Sequence, residues 1–302
     1  MTGARDTVAV RLENPVARFE DARSMDLSPS MMLYVTDAAA DLVRIFDVAV
    51  TRTETSDVGV RVASSQPGEI GGSGSDPGFF LEPASVDASS SLFVNVADAG
   101  NGRIQRFTVD GALVEVLPVP LGAASAVDAD PRFRAEDPAV GARSTGARPV
   151  AVDTSPADEL LVIEQETGEV LMTDSRRRTW TRLGSSDSRP VDPVDIEILG
   201  ARIYVADAAD RRLHVYDRLG TRLMSERVAG RGPMALVPTP GGPAVLSGSI
   251  LVGADITGEE PTSRAIRFVT GEIVMDVRMV DNALLVLTNR SLFVVPQSVW
   301  FR

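Results

Sequence analysis

The stretch LFVNVADAGNGRIQRFTVDGALVEVL, Leu92–Leu117, decides the fold. It reads as strand, tight turn, strand, turn, strand. Apolar and polar residues alternate in runs of five or six, and AGNG and VDG interrupt them with residues that favour turns. Much of the stretch returns as LYVTDAAADLVRIFD at Leu33–Asp47 and as IYVADAADRRLHVYDRLGTRLMSE at Ile203–Glu226. A unit that recurs in this way signals a repeat architecture and takes precedence over any single motif.

A shorter pattern recurs six times ahead of such units: a small or acidic residue, an aliphatic one, then usually an acid. The instances are SMD (Ser24–Asp26), SVD (Ser85–Asp87), AVD (Ala151–Asp153), DIE (Asp195–Glu197), ALV (Ala235–Val237) and DVR (Asp276–Arg278). Their central residues, Met25, Val86, Val152, Ile196, Leu236 and Val277, are separated by 61, 66, 44, 40 and 41 positions. The last three intervals match the repeat of about 40–45 residues of a four-stranded propeller blade. The first two contain Thr51–Gly78 and Asp128–Pro149, rich in Gly, Pro, Ser and charge, which read as insertions between blades. The repeat continues on both sides of each insertion, so residues 1–302 read as one domain.

A second apolar strand follows each short pattern by about ten residues, and a third and fourth follow that. The expected fold is therefore all-β, a six-bladed β-propeller of four-stranded antiparallel blades. A ring made from one chain has a seam, and little chain remains after Leu292–Val295 to complete the last blade. The alternating TVAVRL (Thr7–Leu12) is expected to become that blade's outer strand, closing the ring from the N-terminus, with Ser298–Phe301 as the competing segment.

VADAGNGRIQRFTVDG (Val96–Gly111), preceded by IGGSGSDPGFFLEP (Ile70–Pro83), resembles the NHL repeat of six-bladed propellers. Asp98, Asn101, Arg103, Ile104, Phe107 and Gly111 each match a position of that repeat. The fourth unit matches with Asp207, Asp210, Arg212, Leu213, Tyr216 and Gly220, and the first more loosely with Asp37, Val43 and Phe46. Asp37, Asp98, Asn101, Arg103, Asp207 and Arg212 read as structural turn residues, since Asp and Asn organise turns by accepting backbone N–H groups.

Composition narrows the chemistry. The chain has no cysteine, which removes disulfides, thiolate nucleophiles and Cys-type metal sites. Its net charge is −12, and all 30 cationic side chains are arginine. That field repels nucleic acid and anionic lipid, so a protein partner is expected and no nucleic acid or direct membrane insertion. No signal peptide is visible, and an extracytoplasmic location would require a removed leader. His214 is the single histidine, so a triad would have to be built on it and a cluster of imidazoles is impossible.

Carboxylates remain. The first strand of a propeller blade lines the axis, where Asp195 and Asp276 break a ring of small residues and Arg278 and Arg23 supply cations. These four are the axial binding candidates, and facing carboxylates there would suit a calcium-type ion through oxygen ligands. Two functions follow. The leading expectation is a non-catalytic binding scaffold that captures a protein or small ligand on its loop face. The alternative is a metal-assisted hydrolase or lyase, lactonase-like, with its site in the axial channel. The resemblance implies that such relatives use several converging carboxylate, Asn or His ligands, of which this chain offers chiefly Asp195 and Asp276.

Overall fold

The computed structural model describes residues 6–52, 58–63, 68–122, 146–174, 176, 179–228, 230, 232, 234–239, 242–253 and 264–300. Strands dominate, with short helical turns at Ala99–Asn101 and Gln297–Trp300. They form six sheets in chain order around a common axis. The inner strands are Ala22–Leu27, Pro83–Asp87, Pro149–Thr154, Pro193–Leu199, Met234–Val237 and Val274–Val280, for blades 1 to 6. Each pairs antiparallel with the second strand of its own blade, and the blades extend outward from there. The protein is a six-bladed β-propeller.

Period-two alternation assigns the two faces of each inner strand. The central residues of the six short patterns, Met25 to Val277, are at most 5% exposed and point between blades. Six apolar clusters result, each filled by residues of two neighbouring blades. One combines Met25 and Leu33 with Leu285 and Leu287, joining blades 1 and 6. Another combines Ile163 and Val170 with Ile203 and Tyr216, joining blades 3 and 4. No blade has a core of its own, which is why the repeats need one another.

The seam differs from the sequence expectation. Asp6–Arg11 runs parallel to Arg264–Val269 as a fifth strand of blade 5, not as the outer strand of blade 6. Its alternation sends Val10 into the core shared by blades 5 and 6, with Val8 and Leu12 beside it. The chain then crosses at Glu13–Val16, and Ala17–Arg18 pairs antiparallel with Ser291–Leu292 to complete blade 6. An N-terminal strand does close the ring, but it is this two-residue one. Gln297–Trp300 is helical, so the competing segment contributes no strand.

Part of the first insertion is also ordered into sheet. Leu42–Arg52 is an eleven-residue strand whose first part pairs with Gly68–Gly71, the fourth strand of blade 1. Its second part continues outward in a hairpin with Val58–Val62. The second insertion, Asp128–Pro149, lies outside the described residues up to 145.

The turn residues act as structural parts. Asp37, Asp98, Glu164 and Asp207 end the second strands of blades 1 to 4 and are fully buried. Each accepts N–H groups from the segment about 16 residues earlier, where the chain approaches the inner strand of that blade. The donors are Asp21 N at 2.8 Å, Leu81 N at 2.8 Å, Arg148 N at 3.0 Å and Val191 N at 2.6 Å respectively. In blade 2 the Asp98 carboxylate also takes Asn101 Nδ2 at 2.9 Å and Arg103 Nε at 2.7 Å. Arg103 in turn donates to the carbonyls of Ser75, Asp76 and Phe79, which fixes the glycine-rich GGSGSDPG loop. That loop is therefore a folded connection between blades 1 and 2. Arg212 departs from this scheme: its Nε lies 3.3 Å from Asp210, and it does not reach Asp207.

Candidate active site

The residues on either side of each central inner-strand residue face the axis, and they line a cavity of about 700 Å³. The first-position ring is Ser24, Ser85, Asp195, Ala235 and Asp276, while Ala151 belongs to the core between blades 3 and 4. The third-position ring holds Asp26, Asp87, Asp153, Glu197 and Arg278, while Val237 belongs to the core. Six carboxylates thus surround one guanidinium. Sequence reasoning singled out Asp195, Asp276 and Arg278, and the structure brings these together. It missed Asp26, Asp87, Asp153 and Glu197, although the signal was present: a residue two positions along a strand shares its face. Arg23 lies at the mouth, half exposed and paired with Asp21 at 2.5 Å, so it does not join the axial cluster.

Most of the acids hold blades together. Asp276 Oδ2 accepts Met25 N at 3.1 Å, from blade 6 to blade 1. Asp195 Oδ2 accepts Leu236 N at 2.6 Å, from blade 4 to blade 5. Ser24 and Ser85 do the same more weakly toward Val86 and Val152, at 3.5 and 3.3 Å. One step along, Asp26 accepts Ala88 N at 2.7 Å and Asp153 accepts Ile198 N at 2.5 Å, while Asp87 bonds the Thr154 hydroxyl. Every one of these braces runs from a blade to its successor. An inner-strand N–H that faces the axis has no sheet partner there, so a side-chain oxygen from the neighbour satisfies it. This accounts for the small-or-acidic first residue of the repeated pattern.

Arg278 is the hub. Its Nη1 donates to Asp276 at 2.7 Å and to the Leu236 carbonyl at 3.2 Å, and its Nε donates to Asp26 at 3.3 Å. One guanidinium does not neutralise the whole set, and Asp26, Asp153, Asp195, Glu197 and Asp276 hold their protons more tightly than free carboxyls do. Burial pushes Asp276 up from 3.8 to about 7 against the pull of Arg278. Burial likewise raises Asp195 to about 6, although the Leu236 N–H and Arg278 favour its charged form. Asp26 is also raised by burial, partly offset by Arg278. Asp153 and Glu197 are raised well above their usual ranges by burial; in Asp153 the repulsion of Glu197 adds to it, and in Glu197 Arg278 opposes it.

A firmly held divalent ion does not fit this donor set. Calcium takes six to eight oxygens and magnesium a near-octahedral shell, whereas four of these Asp carboxylates already accept a backbone N–H from the next blade. Among the described residues, the three groups whose ligand atoms all lie within 4.8 Å of one another are Asp207, Asp210 and His214, away from the axis. His214, placed by sequence on a packed or surface strand face, is buried with its Nε2 3.5 Å from Asp207.

No family profile matches the chain, and no curated protein matches it. Solved structures do. A proposed gluconolactonase superimposes with a TM-score of 0.60 at 11% identity, over 94% of this chain and 91% of that one. A streptogramin B lyase gives 0.56 at 10% identity, over 94% of both chains. A catalytically inactive histidine-to-alanine form of virginiamycin B lyase from Staphylococcus aureus, with quinupristin, gives 0.53 at 9% identity over 91% of this chain and 94% of that one. At such identities the likeness establishes the six-bladed propeller fold. It also corrects the functional expectation. The comparable propellers include enzymes, which counts against the leaning toward a non-catalytic scaffold.

Proposed function

We propose that the protein is a lyase or lactonase-like hydrolase whose chemistry takes place in the axial channel by proton transfer between carboxylates. The observation that carries this reading is the pairing of Asp195 and Glu197. They lie two residues apart on one strand face, and burial raises Asp195 to about 6 and Glu197 well above its usual range. Neighbouring carboxyls in different surroundings can divide base and acid roles between them. Asp195, at about 6, is ionised at neutral pH and serves as general base. Glu197 keeps its proton well above the ordinary range and serves as general acid. Among the described hydrogen bonds none holds the Glu197 carboxyl, so it is free to donate. Arg278 offers a fixed positive charge to an oxyanion forming beside it.

In ring opening by water, Asp195 takes a proton as the water oxygen bonds the ester carbonyl carbon. The ring C–O bond then breaks, and the Glu197 proton passes to the departing alkoxide. In a lyase step Asp195 removes a carbon-bound proton and the same acid protonates the leaving oxygen. The histidine lost in the inactive virginiamycin B lyase form has no counterpart in this channel, since the single histidine, His214, lies in the third strand of blade 4, away from the axis. The NHL character of the repeat belongs to this proposal as well, supported by the Asp98, Asn101 and Arg103 turn.

The test is a panel of lactones and cyclic depsipeptides followed by chromatography for ring opening. Asp195→Asn and Glu197→Gln are each expected to lower the rate by about 10²–10⁴, and Arg278→Met by about 10²–10³. The pH profile should rise through about 6. Absence of turnover across the panel, or variants that retain the full rate, would overturn the reading.

A further inference from the structure

The second strand of blade 2 and that of blade 4 end in the same turn, solved with different chemistry. In blade 2 the buried acid is Asp98, and the groups three and seven residues later are amides. Asn101 Nδ2 and Gln105 Nε2 approach the carboxylate at 2.9 and 3.0 Å, ordinary hydrogen bonds. Blade 4 places Asp207 in the same role, Asp210 where the Asn stands and His214 where the Gln stands. A donor has become a second carboxylate, so two acids face one imidazole.

These groups stand apart from one another. His214 Nε2 is 3.5 Å from Asp207 Oδ2, a long hydrogen bond at most, and 3.9 Å from Asp210 Oδ1, beyond hydrogen-bond length. Two ligands each about 2.1 Å from a shared tetrahedral ion lie roughly 3.4 Å apart. The spacing is long for direct bonding and matches that of two ligands sharing an ion. The imidazole is 3% exposed and its Nδ1 has no hydrogen-bond partner among the described residues, while Nε2 faces Asp207 less closely than Gln105 Nε2 faces Asp98. Asp207 and Asp210 are already oriented from outside. Val191 N lies 2.6 Å from Asp207 Oδ2, and Arg212 Nε lies 3.3 Å from Asp210 Oδ2, which leaves Asp210 Oδ1 toward the ring. Asp210 and His214 also line a cavity of about 400 Å³ between the turns of blades 3 and 4, through which solvent or a ligand reaches the cluster.

We propose that Asp207, Asp210 and His214 bind a divalent transition metal of the zinc or manganese class, with an open coordination position toward that cavity. One imidazole and two carboxylates suit such ions, whereas calcium selects oxygen ligands alone. The site is off the axis and independent of the proton-transfer chemistry proposed for the channel.

Blade 2 supplies the controls. Asp210→Asn and His214→Gln convert the turn to a solution the chain already uses, so both variants are expected to fold. Titration calorimetry with zinc(II) alone, and with manganese(II) alone, on metal-stripped protein should give one site per chain. Each variant should lose at least tenfold in affinity while its circular dichroism and metal-free melting temperature stay within about 2 °C of the parent. Glu197→Gln, altered only in the channel, should bind as the parent does. No binding of either ion, or equal binding by Asp210→Asn and His214→Gln, would overturn the proposal, as would loss of binding in Glu197→Gln alone.

Discussion

Asp276 offers a direct test of the axial cluster, because its protonation belongs to folding. Its carboxyl titrates at about 7 in the folded protein against an ordinary 3.8, with burial as the main cause. Between those values the folded state holds a proton that the unfolded chain releases. Stability from this group is therefore complete below about pH 4 and is lost as pH rises through 7. Three pKa units at about 1.4 kcal/mol each give a loss of roughly 4 kcal/mol. Asp195, raised to about 6, adds about 3 kcal/mol in the same direction. For a chain of this length about 2 °C accompanies each kcal/mol, so Asp276 alone accounts for a fall of about 8 °C. The assay is urea unfolding and thermal melting of the parent and Asp276→Asn at half-unit steps from pH 4 to 8. The amide keeps an oxygen for the Met25 N–H and has no proton to lose. The parent should weaken steadily over this range, and the variant's decline should be smaller by about 4 kcal/mol. A parent whose stability is flat or rises over this interval would refute the argument, as would a variant with an unchanged slope.

Arg103→Leu removes three donors from the GGSGSDPG loop and strands the buried Asp98 charge, a loss of about 3–5 kcal/mol measurable by thermal melting. Among the described residues, removing 1–13 takes the fifth strand of blade 5 and leaves blade 6 closed by Ala17–Arg18, so the melt should stay cooperative at a lower midpoint. Removing 1–19 also takes Ala17–Arg18 and Phe19 from blade 6, and calorimetry should then show the single transition broadened or split. Gly71→Ala puts a Cβ 2.2 Å from the Phe80 ring at a φ of +103°, and should lower the midpoint by several degrees.

The fold was largely legible because the blades repeat the same requirements: a strand face for the axis, a face for the neighbour and, in blades 1 to 4, an acid to tie the incoming chain. The 40–44-residue spacing of Val152, Ile196, Leu236 and Val277 carried that information. The seam was not legible. Thr7–Leu12 has the better strand pattern, but alternation states only that one face is buried, and two neighbouring blades offered an edge. Ala17–Arg18 is too short to announce itself. In the channel, Asp195, Asp276 and Arg278 stood out as departures from a pattern. Asp26, Asp87, Asp153 and Glu197 conformed to theirs and passed as background, so the charge of the site was underestimated. Arg23 belongs to the right strand, but Asp21 holds it at the rim.

The blade-to-successor bonds at the axis also govern what can move. A wall whose Asp side chains are each fastened to the adjoining sheet is stiff at five of its six junctions, including that between the last blade and the first, and Arg278 reaches back to the Leu236 carbonyl at the sixth. Glu197 is the unfastened exception. A guest in this tunnel must bend to meet the wall, and among the described axial carboxylates the limb free to reach back is that glutamate.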